Sequence, residues 1–162
     1  MAWEAFGSKE WNQQTTSGET AMQHVLETVE RYPMEAIVAR YARDEKLSIA
    51  VAKEHERELK RFLALICLMP SGTYVMNGPI DKLWHAFIIH TREYQDFCNK
   101  AAGRFIHHLP DSPNGHDRNL SVSRYMRFLE DYKAVFNEEP PAHVWPSLAS
   151  ASEGPSCSDP VD

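Results

Sequence analysis

The chain lacks the usual equipment for nucleotide chemistry, disulfide stapling and membrane spanning. It has only three cysteines, Cys67, Cys98 and Cys157, and none forms a CxxC pair. That is too few and too scattered for a disulfide framework. The phosphate-cradling strings GxxxxGK and GxGxxG are absent, as is the GxSxG elbow of α/β-hydrolases. No apolar run reaches the roughly 18–20 residues that cross a bilayer. The opening stretch has no basic segment followed by an apolar one, as a secretory signal would. Positive charge is also short: 17 Lys and Arg face 23 Asp and Glu, for a formal net charge of −6. A phosphate backbone is met mainly by clustered Lys and Arg, so nucleic acid is not an expected partner. These absences predict a cytoplasmic protein with neither nucleic acid nor membrane as partner.

What is present fits one globular domain. The 162 residues are 43% hydrophobic and 25% charged, enough to bury a core. Apolar positions recur at helical spacing almost throughout, and alternation of the strand type is missing except over 73–76. The expected fold is all-α: a single compact domain of about five helices, with irregular loops and disordered termini. Residues 1–18 read as a flexible lead-in, 19–146 as the helical domain and 147–162 as a Ser-, Gly- and Pro-rich disordered tail. Thr16 and Glu19 make a capping-box pattern that predicts a helix over 19–32. Pro33 precedes a second over 34–43, and Ser48 is placed to cap the longest, over 49–69. Asn77-Gly78-Pro79 opens a fourth, read as continuous over 79–102 and stopped by Gly103. The last runs over 121–137, ahead of a proline-flanked Trp145. On the third helix Glu54, Glu56 and Glu58 sit near Arg57, Lys60 and Arg61, a pattern that predicts a solvated, ion-paired face.

Eight histidines stand out, four of them between positions 85 and 108. At about 100° per residue, Asp81 and His85 share one flank of the fourth helix as an i, i+4 pair, and His90 points elsewhere. A carboxylate one turn from an imidazole can fix its tautomer or ligate a metal beside it. His107 and His108 follow the Gly103 stop, where the chain can return toward His85. Adjacent side chains of an extended segment point to opposite sides, so at most one of the two joins unless the backbone turns there. Cys98 lies about 140° from His85 on a continuous helix and reads as a buried apolar residue. Glu93, Asp111, His116 and Asp117 are further ligand candidates on or beside the loop. The spacing matches neither HExxH nor CxxC…CxxC. A metal-free account stands beside it: Asp81 suits a helix N-terminus through the free N–H groups there, while Trp84, Phe87, Tyr94 and the histidines knit a core.

The run Asp81-x-x-Trp84-His85, with Tyr94-x-x-x-Cys98, Gly103 and His107-His108, resembles the core motif of the glycine-rich domain-containing protein-like family. Phe136-x-x-x-Pro140 and Val144-Trp145-Pro146 are similar to the close of its short bacterial versions. The resemblance spans about 33–146. Plant members often carry Trp-His-x-His, and Phe87 stands here in the second His place. The resemblance implies one structural unit and no particular reaction. The expectation drawn from the residues is a small helical protein that binds a transition metal, zinc or iron, through Asp81, His85, His107 and His108. Such a site is catalytic if a coordination position stays open and structural if it is closed, so enzyme activity is left undecided. The alternative is a metal-free module holding a protein or small-molecule partner through its tails or the Trp145 region.

Overall fold

The computed structural model describes residues 8–69, 74–76, 78–108 and 118–146, with side chains from 18 onward in the first helix and from 121 in the last. Among the described residues there are six helices and no strand: α1 (Ser8–Glu30), α2 (Glu35–Asp44), α3 (Ile49–Leu68), α4 (Gly78–Ile89), α5 (Thr91–Ala102) and α6 (Arg118–Phe136). The all-α reading holds, and 74–76 is irregular rather than extended in a sheet. None of these helices is long and apolar enough to cross a membrane. Two compact units are formed, one by 8–69 with 78–108 and the other by 74–76 with 118–146.

In the first unit α3 is the hub, touching α1, α2, α4 and α5. Its inward stripe of Ala52, Leu59, Phe62, Leu63 and Leu65 is essentially inaccessible to water. Ser48 caps it as expected, its hydroxyl accepting the Val51 N–H (3.3 Å). Ser48→Ala should therefore cost about 1 kcal/mol in urea-unfolding free energy, the ordinary worth of such a cap. A change below about 0.3 kcal/mol would mean that water replaces the cap without loss.

The structure corrects three local readings. α1 starts at Ser8, ahead of the Thr16 capping box, so part of the presumed lead-in is helical. Nothing between Ser8 and Glu19 forbids this, because the stretch lacks proline and a glycine such as Gly18 costs a helix only about 1 kcal/mol. The single helix expected over 79–102 is instead two. His90 Nδ1 donates to the Ala86 carbonyl (2.8 Å), and the His90 N–H reaches Phe87 O (3.0 Å), an i−3 bond that closes a tighter turn than the i−4 ladder makes. α5 then restarts from the His90 carbonyl, which accepts the Tyr94 N–H (2.9 Å). Finally, Glu58 is fully buried rather than on a solvated face, with Arg57 Nε donating to it at 3.1 Å. It lies on the same stripe as His55, Leu59, Phe62 and Leu65, all buried. His55 there shares a hydrogen bond with the Tyr41 hydroxyl (2.9 Å).

The second unit packs around Phe128, whose ring meets Tyr74 (5.9 Å), Tyr125 (6.0 Å), Tyr132 (5.8 Å) and Trp145 (4.5 Å). The Tyr74 hydroxyl donates to Asp131 (2.6 Å), and the Tyr125 hydroxyl to the Pro146 carbonyl (2.8 Å). Trp145 is thus a core residue and not an exposed contact.

Candidate metal centre

The site is built on the outer margin of α4. Ile80, Leu83, Trp84 and Phe87 take the inward face of that helix, which leaves Asp81 and His85 at the rim. Asp81 stands in the first turn, where free N–H groups favour a carboxylate. The i, i+4 spacing brings His85 Nδ1 to 3.5 Å from Asp81 Oδ2. The Asp81 side chain is half-buried, whereas that of His85 is 58% exposed.

The third member arrives from the far end of α5. Gly103 takes the left-handed conformation (φ +63°), favourable for glycine, and the chain reverses there. Along the return Phe105 is exposed, Ile106 buried, His107 exposed and His108 half-buried, the alternation of an extended chain. Ile106 and His108 therefore face the helices. His108 Nε2 lies 2.8 Å from Asp81 Oδ1, a hydrogen bond when that nitrogen carries the proton. Its ring sits 4.5 Å from that of His85 and 4.4 Å from that of Trp84, centroid to centroid. Asp81 thus has one carboxylate oxygen toward each imidazole. The three residues offer one oxygen and two nitrogens, all within 4.8 Å of one another. Ligands held at about 2.0–2.2 Å by one ion are about 3–3.5 Å apart, so a modest closure of side chains brings these atoms to bonding positions.

Of the four residues singled out beforehand, Asp81, His85 and His108 come together and His107 does not. The His107 ring lies against Phe105 (4.9 Å) on the opposite side of the returning segment. His90 is occupied at the α4–α5 break. Cys98 is fully buried, and burial pushes its thiol above the ordinary value, which disfavours the thiolate needed for ligation or attack. Burial likewise pushes the Cys67 thiol up to about 11. Glu93 lies on α5, where its backbone carbonyl accepts from the Tyr32 hydroxyl (2.6 Å), and Asp111, His116 and Asp117 lie outside the described residues. Sequence reasoning placed Trp84 and Tyr94 in the core without seeing that they border the site. The Trp84 indole N–H donates to the Tyr94 hydroxyl (3.1 Å), which donates in turn to the Ile106 carbonyl (2.6 Å). Burial raises the Tyr94 hydroxyl well above its usual value and keeps it a neutral donor.

No curated protein and no solved structure matches the chain. One family profile does, that of the UCP032817-like family, over residues 22–140. This overturns the expected likeness to the glycine-rich domain-containing protein-like family, whose short motif match around Asp81, Trp84 and His85 does not extend to a match of the chain. The matched segment spans all of α2 to α5, and with them Asp81, His85 and His108, so the chain belongs to the UCP032817-like family.

Proposed function

We propose that this protein binds one divalent transition metal ion through Asp81, His85 and His108, with zinc or ferrous iron as the ion. The observation that carries the reading is the convergence of one carboxylate and two imidazoles, from two separate segments, with their donor atoms within 4.8 Å. Two imidazoles and a carboxylate form the donor set of catalytic zinc sites and of the facial triad that holds non-haem iron. Three protein ligands leave coordination positions free, and the exposure of His85 puts the open side toward solvent. The set therefore suits an ion that polarises a bound water or small substrate better than a closed structural staple.

The metal-free reading has one observation on its side: the short Asp81 to His108 contact (2.8 Å) holds the cluster by hydrogen bonding alone. Protein prepared without a histidine tag and titrated with Zn²⁺ against a chromophoric chelator decides between them. The expected result is about one ion per chain, with a melting temperature raised by about 5–10 °C when free metal stands about 100-fold above Kd. Absence of stoichiometric uptake of either Zn²⁺ or Fe²⁺ would overturn the proposal.

A further inference from the structure

The reach of His108 to Asp81 depends on how the returning segment is fixed, and that segment is anchored at Ile106. The Ile106 carbonyl accepts the Tyr94 hydroxyl (2.6 Å), and its N–H donates to Cys98 Sγ (3.5 Å), so both polar groups of one residue are tied to α5. The Ile106 side chain is itself buried. Tyr94 also accepts the Trp84 indole N–H (3.1 Å), and the Trp84 ring is the surface against which His108 rests (4.4 Å). One phenol oxygen therefore links the two structures that border His108. The Tyr94 ring is locked edge-on against Phe87 (5.0 Å) and Phe105 (5.4 Å), and the side chain is 1% exposed.

We infer that Tyr94 is a positioning residue of the metal centre, its hydroxyl setting His108 at ligand distance by holding Ile106 and Trp84 together. The inference rests on the metal-binding reading above. Groups that orient ligands without touching the ion typically carry 10- to 100-fold of metal affinity. Tyr94→Phe keeps the ring and removes only the oxygen. It leaves the side chains of Asp81, His85 and His108 unaltered and removes one of the two ties that hold Ile106 to α5.

The test uses the full chain and Co²⁺, whose visible absorption reports coordination geometry, with Zn²⁺ competition for affinity. Tyr94→Phe should bind Co²⁺ about 10-fold or more weakly, with an altered spectrum. Phe97→Leu serves as the comparison, because Phe97 packs against Tyr32 and Phe87 and has no hydrogen bond to the returning segment. It should lose stability while keeping the wild-type affinity and spectrum. Tyr94→Phe binding like wild type, or equal weakening in both variants, would overturn the positioning role. Should Tyr94→Phe fail to fold, Cys98→Ala loosens the Ile106 N–H from the same helix and should weaken Co²⁺ binding several-fold. An unchanged affinity there would also overturn the inference. A wild-type chain that takes no Co²⁺ or Zn²⁺ refutes the metal reading itself, an outcome distinct from all of these.

Discussion

Replacing His108 with alanine is expected to lower zinc affinity at least 100-fold, about 2.7 kcal/mol of binding free energy. In the proposed centre His108 is the ligand that closes the site, because Asp81 and His85 are neighbours on one helix and on their own would offer only an i, i+4 chelate. Its removal leaves one imidazole and a carboxylate, with more positions filled by water. The loss in folding stability should be smaller, about 1 kcal/mol, since Asp81 is 26% exposed and water can take over its Oδ1. His107→Ala is the matched comparison: it deletes the adjacent imidazole, whose ring lies against Phe105 and outside the cluster, and should leave affinity unchanged. Chelator competition on the two variants separates the roles. If both lose affinity equally, the alternation of the returning segment is not what selects the ligand. If neither does, His108 is no ligand.

The second large effect lies in the core beneath the site. Phe87→Ala should cost about 3–5 kcal/mol of unfolding free energy, the usual range for deleting a buried phenylalanine whose cavity cannot collapse. Phe87 is wholly buried, and its ring meets Tyr94 (5.0 Å, nearly perpendicular), Phe97 (5.4 Å) and Tyr32 (6.0 Å). These rings come from three different helices or their ends. Tyr32 follows α1, where its hydroxyl bonds to the Glu93 carbonyl and Asp96 of α5, so the neighbours are themselves held and cannot close the void cheaply. Urea titration followed by tryptophan fluorescence measures the change. A loss below about 1 kcal/mol would mean that these rings repack freely, contrary to the close packing expected of such a core. Because Phe87 is wholly buried, a polar ligand at that position would face the core rather than Asp81.

The positions of the helices were largely legible because their signals are local. The Ser48 cap, the Gly103 stop and the 3-and-4 spacing of apolar residues act within one or two turns of chain, and the structure follows them closely over α2 and α3. The Asp81–His85 pair was legible for the same reason, since i, i+4 neighbours meet on any helix. The break at His90 was less so. Helical periodicity continues almost in phase across it, and the ladder is interrupted where the His90 ring takes the Ala86 carbonyl and the His90 N–H turns to Phe87 O. Glu58 was misread because charge alone suggests exposure, whereas its place on the buried stripe of α3 depends on what packs over that helix.

The sequence by itself determined that the chain is helical, where most helices begin and end, and that a carboxylate and an imidazole share one flank of α4. Whether His107 or His108 joins them could not be read from two identical neighbours. That was decided by the tertiary structure, through Tyr94 and Cys98 holding Ile106 against α5 and so fixing the phase of the returning segment. The physical reason is range. Capping and periodicity are written in bonds between residues three or four apart, whereas Asp81 and His108 meet across 27 positions, and only packing between helices brings them to 2.8 Å.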